Sequence, residues 1–272
     1  MERCARSAEL DQETGYAYYG ARYYDSQISQ WLSVDRLADK YPHSSPYVFS
    51  GNNPVRYIDP NGDSLNIAGL LWFDKTWGTN IIGALIKELE AETGLGLIIT
   101  KVNRNQVYLD YLRDENGDAI LQEGGSSLAR GDLLSIIKSE KRVYVLGTMK
   151  ETTRTAGMQQ DNAQIKLNPN QINGFVRGTR GVDKRTMGFG MVFLHEVRHW
   201  LTGLKDDKEF PGTGPIVDHM NSIRGQLGPE WGERSSYAPK ALPSNGRSYI
   251  PFGSAARIIL RNGVYPFTHV EP

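Results

Sequence analysis

Residues 186–203, TMGFGMVFLHEVRHWLTG, constrain the fold more than any other stretch. Met191, Val192, Phe193, Leu194, Val197, Trp200 and Leu201 leave a helix here apolar on nearly every side. Such a helix belongs at the centre of a domain rather than on its surface. Yet it carries His195, Glu196 and His199, spelling H-E-x-x-H. Positions i and i+4 share a helical face, so both imidazoles can reach one ion with the glutamate beside them. Neutral imidazoles suit Zn²⁺, the ion lowers the pKa of water toward ~7, and a carboxylate can take the proton as water attacks a carbonyl. The bland alternative is a buried helix whose two histidines only pack. Burying unpartnered polar groups is costly, which favours the ion.

A zinc site needs a third protein ligand and an open position. His219 lies in GPIVDHMNSIRGQL (214–227), which reads as a helix with Pro215 in its first turn and Thr213 as cap. With Ile216, Met220, Ile223 and Leu227 inward, His219 flanks that stripe at about 80° from its centre. Asp218 points nearly opposite and is the second candidate. Asp206, Asp207 and Glu209 are further carboxylates, in a charged run that reads as solvated surface. Arg224, Arg234 and Tyr237 are candidates for stabilising a developing oxyanion.

The 272 residues suffice for one large domain or two small ones. The texture changes near residue 62: eight of the 14 tyrosines (16, 18, 19, 23, 24, 41, 47 and 57) precede it. Within residues 1–63, GYAYYGARYYDSQISQWLSVD (15–35) alternates aromatic with small or polar residues and the stretch from Tyr41 is rich in Pro, Gly and Asn, which predicts short strands and turns. Such strands cannot bury their faces alone and read as the end of a larger β structure. Residues 64–272 read as α+β. Helices are expected at 79–94 (capped by Thr79 or Asn80), 128–142, 186–203 and 214–227. Strands are expected around NRN (LGLIITKV with NQVYLDYLRD), at 143–147 and at 162–169, the last a sheet edge ending at Pro169. Residues 174–185 read as a basic, solvated loop, and the tail from 228 as loop with a helix at 253–262.

Formal charge is +0, with 31 basic and 31 acidic residues, so nothing argues for a nucleic-acid partner. The single cysteine, Cys4, cannot form an internal disulfide. No run approaches the ~20 apolar residues of a membrane span. The N-terminus lacks the apolar run of a signal peptide. The chain is expected in the cytosol or exported by a route that reads no such signal.

Residues 9–63, with YYGARYYD and the closing NNPVRYIDPNG, closely resemble the Rhs (YD-repeat) core signature. The resemblance implies the end of a β-strand shell followed by a variable C-terminal toxin, delivered to another cell by a specialised secretion system. It also implies a cognate immunity protein and the remainder of the Rhs shell as partners. The H-E-x-x-H segment resembles the zincin metallopeptidases, in which a second helix supplies a ligand and a sheet-edge strand, here AQIKL (163–167), pairs with substrate. It lacks the longer metzincin signature, because Thr202 and Lys205 stand where Gly and His belong. Together they imply a polymorphic-toxin effector that is a zinc-dependent peptidase acting on protein or peptide. Glu196 would be the general base, with His195, His199 and His219 or Asp218 on the metal and Tyr237 or Arg224 on the oxyanion. A non-catalytic module, or a hydrolase of a non-peptide amide or ester, stands as the alternative.

Overall fold

A computed structural model describes residues 9–18, 22–28, 30–34, 45, 47, 65–101, 104–139, 141–206, 212–241, 248–253 and 256–260. The closing NNPVRYIDPNG, Cys4, Asp207 and Glu209 lie outside the described residues. Contacts divide the chain into two compact units: residues 1–63 with 115–118, and residues 64–114 with 119–272.

In the first unit, β1 (Glu9–Leu10), β2 (Ala17–Tyr18), β3 (Tyr23–Asp25) and β4 (Gln30–Trp31) form an antiparallel meander in chain order. The Asp11 carboxylate accepts from the Glu13 amide and the Thr14 hydroxyl and so shapes the first turn. Tyr24 faces Trp31 across β3 and β4, edge to face at 5.8 Å.

The second unit is α+β. Its larger sheet comprises β5 (Leu65–Asn66), β6 (Leu97–Lys101), β7 (Val107–Tyr111), β8 (Val143–Gly147), β9 (Arg154–Ala156) and β10 (Ala163–Leu167). The strand order is β6-β7-β5-β8-β10-β9, with β8 parallel to β5 and β10 and the other pairs antiparallel. AQIKL is therefore an interior strand; the edge is β9, whose three residues are too few to show a period.

Helices α1 (Ala68–Trp77), α2 (Ile81–Thr93), α3 (Ser127–Ile137), α4 (Pro169–Gly178), α5 (Phe189–Thr202) and α6 (Gly214–Leu227) complete the unit. Asn80 occupies the N-cap of α2, but the capping acceptor is Asp74, whose carboxylate takes the Ile81 and Ile82 amides at 2.9 Å each. Residues 174–185 are no loop. Asn168 caps α4 by accepting from Asn170 and Gln171, and Pro169 fits its first turn, so the proline that closes β10 opens a helix. A Cβ on Gly178 would lie 2.1 Å from the Ile259 carbonyl oxygen, so glycine is needed where α4 ends.

The tail is also reassigned. β13 (Ser248–Phe252) and β14 (Ala256–Leu260) form an antiparallel ladder flanked by β12 (Lys240–Ala241) and β11 (Thr179–Arg180). Ile250, Phe252, Ile258 and Leu260 are buried at period two, and this alternation defeats the helix expected at 253–262. Among the described residues no helix is long and apolar enough to cross a membrane.

The core gathers around α5, which packs against α2, α3, α6, β9 and β10. Phe193, Leu194 and Val197 are wholly inaccessible, as the all-round apolar pattern requires. A 3-10 turn over Lys184–Met187 leads into α5, and Glu88 of α2 accepts the Gly190 amide in its first turn at 2.9 Å.

Candidate metal centre

The last turn of α5 sets the site. Gly203 adopts φ +71° and donates its amide to the His199 carbonyl, reversing the chain at the helix end. The reversal brings Leu204 and Asp206 back over the helix face bearing His195 and His199. The Leu204 carbonyl accepts a hydrogen bond from His199 Nδ1 at 2.7 Å. A carbonyl only accepts, so Nδ1 carries the proton and a neutral ring presents the bare Nε2 lone pair to the site.

Three ligand groups converge there, the aspartate meeting each histidine with a different oxygen. His195 Nε2 and His199 Nε2 are 3.1 Å apart, His199 Nε2 lies 3.1 Å from Asp206 Oδ2, and His195 Nε2 lies 3.2 Å from Asp206 Oδ1. An ion about 2.0 Å from each of three tetrahedral ligands would space them by about 3.3 Å, close to the contact each histidine makes with its neighbouring imidazole and with one Asp206 oxygen. The Asp206 side chain is only 6% exposed, and despite its proximity to His195 its Oδ1 has no hydrogen-bond partner of proper geometry. Lone pairs on two imidazoles and a carboxylate at this distance repel unless a cation lies among them. His195, His199 and Asp206 could therefore hold a metal ion.

Electrostatics agree. Burial disfavours a charged His199, yet Asp206 and Glu196 outweigh it and raise its pKa to about 9. Burial lowers His195 to about 4 against the pull of Asp206. Burial alone would raise the Asp206 carboxyl, but the two histidines together hold it well below the usual range. The triangle demands positive charge, which a proton supplies singly and a divalent ion doubly. Burial raises Glu196 to about 7, opposed by His199 and by Thr155. Thr155 on edge strand β9 places its hydroxyl 2.8 Å from Glu196 Oε2, tying the sheet to the motif glutamate.

The other candidates fall in different places. The buried face of α6 comprises Ile216, Val217, Met220, Ile223 and Arg224, extending to the flank away from His219. His219 thus faces α3, its Nε2 2.6 Å from Asp132 Oδ2, while Arg198 of α5 donates to Asp132 Oδ1 at 3.2 Å. Asp218 is exposed and accepts from the Thr213 hydroxyl. Neither joins the histidine pair; Asp206 does, and the signal for it was Gly203. Tyr237 is buried and stacks parallel to His195 with centroids 6.3 Å apart. Burial raises its hydroxyl pKa well above the ordinary value, with the Asp206 charge adding to the effect. Arg224 lines a small cavity with His195, but its guanidinium donates to Thr186 and Asn221 rather than toward the triangle. Arg234 donates to the Ser236 and Tyr237 carbonyls and holds the loop that carries Tyr237.

Fold and site define an α+β protein with a buried group of two histidines and one aspartate able to hold a metal ion. No family model and no solved structure matches the chain. It is similar to salivary gland surface protein 1 of Aedes aegypti, 43% identical over 54 residues. That stretch is 20% of this chain and spans 2% of the mosquito protein.

Proposed function

We propose that residues 64–272 form a zinc-dependent metallopeptidase with His195, His199 and Asp206 as ligands and Glu196 as general base. The observation that carries this reading is the convergence of both imidazoles and the Asp206 carboxylate, with contacts of 3.1–3.2 Å, on a buried H-E-x-x-H helix. When bound, zinc supplies Lewis acidity for hydrolysis of a carbonyl compound. Glu196, in its carboxylate form, takes a proton from the attacking water, and the Thr155 hydroxyl orients that carboxylate. The Tyr237 hydroxyl, kept protonated by burial, is suited to donate to the oxygen on which charge develops. The Leu204 carbonyl fixes the His199 tautomer.

The N-terminal Rhs-like signature supports delivery of this domain as a toxin into another cell, with an immunity protein in the producer and the rest of an Rhs shell as carrier. The short antiparallel strands of the first unit are compatible with that origin. The test is elemental analysis of the purified chain together with cleavage of casein, with and without chelator. One zinc per chain and chelator-sensitive cleavage lost in Glu196→Gln are expected. Absence of zinc refutes the reading; zinc without peptide cleavage moves the chemistry to another amide or ester.

A further inference from the structure

The small cavity beside His195 is walled by Met187, Met191 and Met220 and also receives Arg224 and Arg234. The two arginines are only 3% and 2% exposed. A guanidinium cannot shed its proton at physiological pH, so burial leaves a full charge that needs an anion nearby. Among the described residues neither finds one. Arg224 donates to Thr186 Oγ1 at 2.9 Å, Asn221 Oδ1 at 3.0 Å and the Thr186 carbonyl at 3.1 Å. Arg234 donates to the Ser236 carbonyl at 2.9 Å and the Tyr237 carbonyl at 2.6 Å. All of these acceptors are neutral.

Among the described residues neither arginine forms an ion pair. The carboxylates whose fields reach them are committed or discharged: Asp206 serves the histidines, and burial pushes Glu92 well up toward its neutral form. Burial, together with the charge of Arg234, lowers Arg224 to about 9, a sign of uncompensated positive charge. Thioether side chains are unbranched and adaptable, so the methionine wall can part around an incoming group.

We propose that this cavity receives a carboxylate carried by the substrate, so that the site selects peptides with an acidic side chain or a free chain terminus next to the bond cut. The proposal rests on the hydrolase reading for its chemistry, but the anion pocket is built from Arg224 and Arg234, outside the metal triangle.

The test uses the full chain after zinc loading has been measured. Three hydroxamates are titrated calorimetrically: hydroxamate-Leu-Glu-amide, its neutral isostere hydroxamate-Leu-Gln-amide, and hydroxamate-Leu-Gln with a free terminus. At least one acidic compound is expected to bind tenfold or more tightly than the neutral one, and which it is identifies the source of the carboxylate. Binding of all three within twofold of one another overturns the anion pocket and leaves the metal site standing. Should the chain hold no zinc, the metal reading fails, and succinate against succinamide on the same chain still decides the pocket. Succinate is expected to bind at least tenfold better, and equal binding overturns the proposal. Arg234→Gln should bring the acidic-to-neutral ratio close to one; if that variant does not fold, the ligand comparison on the unaltered chain decides alone.

Discussion

Replacing Asp206 by asparagine keeps the shape of the side chain and removes its charge. In the parent chain, free zinc at about 100 times the dissociation constant stabilises the fold by about 2.7 kcal/mol. For a unit of roughly 200 residues each kcal/mol moves Tm by about 2–4 °C, so zinc should raise Tm by about 5–11 °C. If losing the anionic ligand weakens binding about 100-fold, the same free zinc contributes only about 0.4 kcal/mol, a shift of about 1–2 °C. The metal-free variant should suffer as well. The Asp206 carboxyl is depressed in the fold, so its contribution is present above its unfolded value near 3.8 and fades as pH falls below that. At pH 7 Asp206→Asn should therefore cost the metal-free chain about 3 kcal/mol, the usual order for breaking a buried pair, with the gap between the two chains beginning to narrow below about pH 3.8. Differential scanning calorimetry at pH 7 and pH 3, with and without zinc, reads both effects. An Asp206→Asn chain with the full zinc shift, beside a His219→Ala or Asp218→Ala chain without it, refutes the assignment.

Glu196→Gln should keep one zinc by elemental analysis and lower peptide hydrolysis at least about 100-fold, the scale of a lost general base. Because Glu196 must be ionised to act, the parent's rate should climb with pH over the range where that carboxyl ionises, which burial pushes up and a bound cation pushes down. Thr155→Val removes the hydroxyl that favours the carboxylate, so that climb should shift to higher pH in its pH–rate profile. His219→Ala should leave zinc content unchanged and cost about 1–3 kcal/mol in urea unfolding, since buried Asp132 Oδ2 loses its partner while Arg198 keeps only Oδ1. Leu194→Ala, at a wholly inaccessible position, should cost about 2–5 kcal/mol by the same measurement.

What could be read in the chain was what local chemistry decides. The α6 boundaries follow from Pro215 and the apolar stripe, and β8 from an uninterrupted apolar run. α5 was legible because its pattern leaves no face for water. The failures arose where a residue serves two elements or where tertiary context decides. Pro169 closes β10 and opens α4, and a proline read as a strand stop does not by itself announce the helix it begins. The tail alternates buried and accessible residues over strands of five, short enough for its small residues to suggest a helix. Asp206 sits in a run of charges whose usual fate is solvation. Only the left-handed cap at Gly203 turns Asp206 inward, and the sequence shows the glycine without the direction of the turn. The choice of His219 failed because Val217 and Arg224 widen the buried face of α6 on the opposite flank, a rotation no single-helix pattern reveals.

The two polar clusters on α5 also explain how an apolar helix can hold a centre with fixed geometry. Apolar packing is non-directional; it keeps Phe193, Leu194 and Val197 out of water without fixing the helix's rotation to a fraction of an ångström. Directional contacts supply that. Arg198 and His219 meet on Asp132, linking α3, α5 and α6. Thr155 reaches Glu196 from the sheet edge, and Glu88 holds the amide of Gly190 at the opposite end of the helix. Each bond resists rotation of α5 about its axis, and a rotation is what would open the 3.1–3.2 Å contacts with Asp206. His219, drawn by sequence toward the metal, thus acts one step removed from it: its bond to Asp132 helps fix the helix on which His195 and His199 are presented.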